Sequence, residues 1–125
     1  AIVFGSPTRF GVMAAEMKYL FDRLSGLWLQ GKLVNKIGGV FTSTSTAHGG
    51  KEATLLSMMT PMMHLGMILV PPGYTDPVMF ASGAPYGATA TVGGMSDQPP
   101  TEADIAVAKH QGVAIGSGLG CGVGA

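Results

Sequence analysis

Short apolar runs and stretches with helical spacing alternate along the chain. The sequence opens with the apolar run Ala1-Ile2-Val3-Phe4, and similar runs follow in KIGGVF from Lys36 and in MILV from Met67. Runs of this length, bounded by glycine or proline, are typical of strands covered on both faces in a parallel sheet. The pattern therefore predicts three buried strands.

The segments between the runs favour helices. One amphipathic helix is predicted from apolar side chains on one face, which are Met13, Met17, Leu20, Phe21 and Leu24. Gly26 is expected to end it, and Leu27-Trp28-Leu29 follows as an exposed apolar segment. A second helix is predicted over Thr54 to Leu65. Pro61 predicts a kink or a break near Thr60, because proline lacks the amide hydrogen and clashes with the preceding turn.

The order strand, helix, strand, helix, strand predicts an α/β fold with right-handed crossovers and a parallel sheet. The 125 residues are expected to form one domain at most. Residues 74–100, rich in glycine and proline, are expected to be a long surface loop. Thr101 and Asp104 form a predicted capping box that opens a last helix. Residues 113–125 are expected to be a glycine-rich tail that does not hold a helix firmly.

Charge and composition narrow the classes of partner. Seven basic and seven acidic residues give a net charge of zero, and no basic cluster occurs, so neither nucleic acid nor an acidic membrane surface is an expected partner. Charged residues make up 11% of the chain, against about 25% in an average domain. The apolar surplus predicts subunit interfaces, or a missing part that covers it. Because Ala1 opens in the middle of a predicted strand, we expect an upstream part to be absent.

The single cysteine, Cys121, excludes an internal disulfide framework and fits a reducing compartment. No stretch approaches the ~18 consecutive apolar residues of a membrane helix, and no charged region precedes a hydrophobic run at the start. We therefore expect a soluble, unexported, cytoplasmic protein.

Unusual segments follow all three predicted strands. They are Ser6–Gly11, Ser43–Gly50 and Pro71–Tyr74. In open parallel sheets, ligands bind beyond the carboxyl ends of the strands. The first segment offers the ring of Phe10 and amides at a helix start, and the second offers hydroxyls and two glycines that let a ligand approach. The set predicts a site for a flat ring with a polar edge, although an ordinary turn and a polar loop remain alternatives.

Few other residues suggest chemistry. His64 either faces the same crevice or is a charge partner at the helix end. Trp28 is suited to an interface, to ring stacking or to core packing. His48 and His110 have no Cys, Asp or Glu at ligand spacing, so no metal site is predicted. No catalytic nucleophile is recognisable either, so a bound cofactor is expected to carry any reaction.

The motifs resemble those of a known family. They are AIVFGSPTRFG from Ala1, GLW from Gly26, GGKE from Gly49, His64, VPPGY from Val70 and PYGA from Pro85. In this order they are similar to the WrbA family of flavodoxin-like NAD(P)H:quinone oxidoreductases over residues 1–112. The resemblance implies a three-layer flavodoxin-like fold with a parallel sheet, of which this chain carries strands three to five of five. The amino-terminal third, with its phosphate-binding loop, is expected to be absent.

The resemblance also implies a cofactor, FMN, and a homotetramer. The implied FMN contacts are Thr8, Arg9, Phe10, Gly11, Ser43, Thr44, Ser45, Thr46, Ala47, His48, Gly49 and His64. Trp28 is implied to close a neighbouring subunit's site and to contact the substrate. Hydride from NADH or NADPH would reach flavin N5, and two electrons would then pass to a quinone in ping-pong order.

This chain departs from the family in carrying only His64 where many relatives have paired histidines. Two other functions remain open. One is a flavodoxin-type one-electron carrier, and the other is a truncated, non-catalytic subunit of an assembly. Whether this chain alone binds FMN is left open by the missing phosphate-binding loop.

Overall fold

The computed structural model describes residues 1–117, which form a mostly parallel sheet with helices on both faces. The strands are β1 (Ile2–Arg9), β2 (Val12–Met13), β3 (Ile37–Thr44), β4 (Ile68–Leu69) and β5 (Ala88–Thr91). The helices are α1 (Ala15–Asp22), α2 (Ser25–Leu29), α3 (Lys51–His64), α4 (Met79–Ser82) and α5 (Glu102–Gly116).

Strand β3 is the centre of the sheet. It pairs in parallel with β1 along one edge, from Ile2 opposite Gly38 to Pro7 opposite Ser43. Along its other edge it pairs first with β4 and then with β5, also in parallel. Strands β4 and β5 therefore act as one edge strand in two pieces, interrupted by residues 70–87. Because both crossovers run the same way across the sheet and are right-handed, α1 and α3 lie on one face.

The face beneath α3 holds the larger core, and we call it the α3 face. Its cluster of buried residues is Phe4, Phe21, Leu33, Val40, Leu55, Met58, Met59, Met62, Leu65 and Met67. The rings of Phe4 and Phe21 join β1 to α1 at 4.9 Å between centroids. Gly38 lets the ends of Met62 and Met67 reach the sheet, since a Cβ there would lie 2.4 Å and 2.7 Å from their Cε atoms.

The opposite face, the α5 face, has a smaller core of Met79, Ala88 and Val107. Gln111 of α5 fastens the helix to the sheet: its Nε2 donates to the Val40 carbonyl at 2.9 Å, and its Oε1 accepts from the Ala88 amide at 2.8 Å. Away from α5 this face is thinly covered, and Val3 and Phe41 are 47% and 49% exposed.

The predicted order of elements and the parallel sheet are confirmed, with three corrections in the first half. Met13 lies in β2 rather than in a helix, because the chain first forms a hairpin. Gly26 does not end the helical region but lies inside α2. Pro61 does not break α3, which continues to His64. Pro61 lies close to the helix end, and buried Met58 and Met62 hold the helix on both sides of it.

The second half needs two more corrections. Residues 74–100 are not one long loop, because they contain α4 and β5. The strand forms through pairing with Phe41–Thr44 of β3, which its own sequence does not reveal. The capping box of Thr101 and Asp104 is confirmed. Helix α5 extends into the predicted tail as far as Gly116, because Ile115 is buried against Gly39. The rest of the tail, with Cys121, lies outside the described residues.

Candidate functional site

A tight hairpin follows β1. Thr8 pairs with Met13 and Arg9 with Val12, which leaves Phe10 and Gly11 as the two turn residues. Their φ angles are +48° and +86°, as in a type I′ turn. The left-handed conformation is ordinary for glycine and strained for phenylalanine. The ring of Phe10 is nevertheless fully exposed, so this strain presents an aromatic ring to solvent.

The hairpin is held against the start of α3. Thr8 Oγ1 lies 2.9 Å from Thr54 Oγ1. Gly11 and Gly50 approach so closely that a Cβ on Gly50 would lie 2.7 Å from the Gly11 Cα. Glycine at position 50 therefore permits the contact. As a result, the turn after β1 and the positive end of the α3 dipole lie side by side.

The loop after β3 lies at the same edge of the sheet. Thr44 Oγ1 donates to the Thr46 carbonyl at 2.7 Å, and the Gly49 amide donates to the same carbonyl at 3.2 Å. Residues 45–48 are exposed, whereas Ser43 is half-buried. One chain thus brings together two predicted groups, Thr8–Gly11 and Ser43–Gly49.

The third predicted segment lies elsewhere. Leu69 pairs with Gly38 near the start of β3, and the Val70 amide donates to the Gly38 carbonyl at 2.9 Å. Pro71–Tyr74 therefore leaves the sheet well before the carboxyl edge, which corrects the expectation that it lies there. The strand that reaches the edge is β5.

A hollow of about 420 Å³ opens beside the end of β5, and its lining includes Pro7, Ser43, Val92 and Pro100. Sequence reasoning missed Val92 and Pro100. The PYGA motif, whose last residue, Ala88, begins β5, was the available signal that this strand, rather than β4, reaches the edge.

His64 and Trp28 lie together at the opposite end of α3. With Pro61 they line a hollow of about 300 Å³, and the Lys18–Asp22 ion pair of 2.6 Å is at its rim. Trp28 is 56% exposed. Helix α3 starts beside the hairpin and has 14 residues, so His64 is about 20 Å away. Within one chain, His64 therefore does not complete the crevice formed by the two turns.

The residues at the carboxyl edge fit the ring portion of FMN. Phe10 supplies an uncovered aromatic face, and the exposed hydroxyls and backbone of residues 45–48 can bond the polar edge of a flat heterocycle. Within residues 1–117, no group of three or more His, Cys, Asp or Glu side chains is placed to hold a metal ion. None of the helices in that range is long and apolar enough to cross a membrane.

Comparisons with known proteins identify the family of this chain. Residues 1–78 match the family described as NADPH-dependent FMN reductase. An NAD(P)H dehydrogenase (quinone) of Chromohalobacter salexigens is 46% identical over 117 residues, which cover 90% of this chain and 58% of that protein. A protein of the same name from Aromatoleum aromaticum is also 46% identical over 117 residues, covering 90% and 56%.

The fold has a solved counterpart. A structure described as the flavodoxin, WrbA-like protein from Agrobacterium tumefaciens has a TM-score of 0.62 and 25% identity, covering 90% of this chain and 64% of its own. The chain thus spans less than two thirds of the relatives it matches. The family match extends over more than half of the chain and takes in the hairpin, the β3 loop and α3. The chain is a WrbA-like protein and belongs to the NADPH-dependent FMN reductase family.

Proposed function

We propose that this chain forms the ring-binding part of an FMN-dependent NAD(P)H:quinone oxidoreductase. The observation that carries the proposal is the strained hairpin, which leaves the Phe10 ring bare and lies with Gly11 against Gly50 at the end of the exposed β3 loop. The names of the relatives support the reaction class, since both are NAD(P)H dehydrogenases (quinone).

Each turn has a separate task in this proposal. Phe10 packs against the flavin ring, and Thr8, Arg9 and Gly11 line the same crevice. The loop Ser43–Gly49 bonds the pyrimidine edge through its hydroxyls and backbone amides. The positive end of α3, which begins at Lys51 beside Gly11, favours an electron-rich ring edge there.

A second copy of the chain supplies Trp28 and His64. Their hollow lies about 20 Å from the hairpin in the same chain. It contributes to a flavin site only if another subunit's site faces it, which a homotetramer allows. Trp28, already half exposed, then covers the substrate side of the flavin.

FMN, when bound, accepts two electrons from NADH or NADPH and passes them to a quinone. We propose that nicotinamide and quinone use one pocket in turn, which makes the kinetics ping-pong. The chain's own residues orient the ring and exclude water from one face. The cytoplasmic location stays a prediction.

The proposal is tested by FMN titration of the 125-residue chain, followed through flavin fluorescence. We expect saturable binding, and about tenfold weaker binding for Phe10→Ala because a stacking face is lost. Phe80→Ala is the matched control, since Phe80 is also an exposed phenylalanine but lies in α4. Equal affinities of these two variants would contradict the assigned role of Phe10, and absence of binding would contradict the proposed function.

Two further measurements address the reaction and the assembly. Anaerobic NADH or NADPH should bleach the bound flavin, and added benzoquinone should restore its colour. A flavin that nicotinamide does not bleach favours the one-electron carrier.

Trp28 is the only tryptophan, so its fluorescence reports on the assembly. FMN should quench this fluorescence, and more strongly at chain concentrations that favour tetramers.

A further inference from the structure

A chain of hydroxyl groups lies beneath the hairpin. Thr8 Oγ1 is 2.9 Å from Thr54 Oγ1 and 3.2 Å from Thr42 Oγ1. Thr42 Oγ1 in turn donates to the Ser6 carbonyl at 2.7 Å. Thr42 and Thr54 are buried, so these hydroxyls rely on one another rather than on water.

The direction of these hydrogen bonds follows from counting protons. Each threonine hydroxyl has one proton to donate. Thr42 gives its proton to a carbonyl, so it accepts from Thr8. Thr8 has then used its own proton and accepts from Thr54. The bonds therefore run one way, from Thr54 through Thr8 to Thr42 and the Ser6 carbonyl.

A second hydroxyl of α3 holds the other arm of the hairpin. Ser57 Oγ donates to the Thr54 carbonyl at 2.7 Å and accepts from the Met13 amide at 3.2 Å. Thr54 and Ser57 are three positions apart, so they lie on one side of the helix. Thr54 bonds the β1 arm and Ser57 bonds the β2 arm, with Phe10 at the tip between them.

The tip depends on these bonds for its orientation. The Phe10 side chain is fully exposed, so no side chain among residues 1–117 packs against the ring to set its direction. Its backbone is strained, and a strained residue persists only where the surroundings hold it. The two arms of the hairpin are the means by which α3 holds the tip.

We propose that Thr54 and Ser57 are positioning residues for the flavin site: their hydroxyls clamp both arms of the hairpin to α3 and so hold Phe10 in the orientation that binds the ring. This inference rests on the proposed function. Neither residue needs to touch the flavin, because each acts through the hairpin.

The test uses Thr54→Val, which keeps the shape and removes the hydroxyl, and Thr54→Ser, which keeps the hydroxyl. Thr60→Val is the matched control, because Thr60 is an exposed threonine of the same helix whose hydroxyl donates to the Leu56 carbonyl within that helix. Ser57→Ala provides a second variant should Thr54→Val fail to fold.

The first readout is tryptic cleavage after Arg9 in the FMN-free chain, since cleavage requires the hairpin to open. We expect it to accelerate about five- to tenfold in Thr54→Val and at least about threefold in Ser57→Ala, from the loss of a buried hydrogen bond. Thr54→Ser should stay within about twofold of wild type, and Thr60→Val should not change. The rate of cleavage after Arg23 reports whether the rest of the chain also opens more readily.

Equal acceleration after Arg9 and Arg23 would overturn the inference, because the hydroxyls would then support the whole fold and not the hairpin. So would a Thr54→Ser variant cleaved as fast as Thr54→Val.

The second readout is FMN affinity, which Thr54→Val should weaken about five- to tenfold and Thr60→Val should leave unchanged. Unchanged affinity in Thr54→Val overturns the positioning role while the proposed function stands. If the wild-type chain does not bind FMN, the proposed function fails, and the positioning role falls with it.

Discussion

The two faces of the sheet are held by different means. Among residues 1–117, the α3 face has ten clustered buried residues, and hydroxyls replace apolar side chains near its carboxyl edge. The α5 face has three clustered residues within the same range and depends on the two hydrogen bonds of Gln111. The hairpin of the candidate site is fastened to the first face. The site is therefore supported by the more extensively packed face, and packed support is what orienting a ring requires.

The largest effect is expected on the α3 face. Leu55 is completely buried, so Leu55→Ala should lower the free energy of unfolding by about 2 to 5 kcal/mol through lost burial and a cavity. Leu56 follows on the same helix and is 47% exposed, so Leu56→Ala should lose less than about 1 kcal/mol. Urea denaturation measures both. Similar losses would show that this face is not the main core.

The second prediction tests whether hydrogen bonds hold α5 to its face of the sheet. Gln111→Leu leaves the Ala88 amide and the Val40 carbonyl without their Gln111 partners, which should reduce stability by about 2 kcal/mol. Gln30→Leu makes the same change at an exposed position and should stay within about 0.5 kcal/mol of wild type. Thermal unfolding of the two variants provides the comparison, and a harmless Gln111→Leu would remove the distinction between the faces.

Alanine substitutions at two neighbouring glycines test how well each face tolerates an added methyl group. A Cβ on Gly39 would lie 2.3 Å from Ile115 Cδ1 and 3.2 Å from the bonded Gln111 Nε2. A Cβ on Gly38 would meet the ends of two methionines, which adapt more easily. Gly39→Ala should therefore lose about 1 to 2 kcal/mol, and Gly38→Ala about half as much. The reverse order in denaturant midpoints would contradict this account of the packing.

The smallest effect is expected on the uncovered part of the α5 face. Val3 is 47% exposed, so Val3→Thr should change the free energy of unfolding by less than about 0.5 kcal/mol. Val40 is completely buried, and Val40→Thr should lose more than about 1 kcal/mol by burying a hydroxyl. A large loss at Val3, measured by urea denaturation, would show that this surface is covered in solution.

Much of the fold was predictable because it depends on local pattern. The runs at Ile2 and Ile37 and the helical spacing after Lys51 correspond to β1, β3 and α3. Strand β5 was missed, since Ala88–Thr91 is short and becomes a strand only by pairing with β3. The hairpin was missed for a similar reason: pairing of Arg9 with Val12 needs support from α3 across many residues of sequence.

The candidate site, like the fold, was predictable from the sequence only in part. From strand ends, glycines and hydroxyls, the sequence predicted a ligand edge formed by Ser6–Gly11, Ser43–Gly50 and Pro71–Tyr74. The structure brings the first two together and leaves the third elsewhere. The sequence did not reveal the support from Thr54 and Ser57, whose hydroxyls look like ordinary helix residues.

Sequence by itself determined that this chain is an α/β protein with parallel strands. The reason is that the spacing of apolar residues and the positions of glycines favour a strand or a helix over a few residues at a time. Only the tertiary structure decided which turns meet: it brought the β1 hairpin to the β3 loop, left Pro71–Tyr74 away from the edge, and placed His64 with Trp28 at the far end of α3. Those outcomes depend on helix direction and strand register, which contacts between distant residues settle and no local pattern encodes.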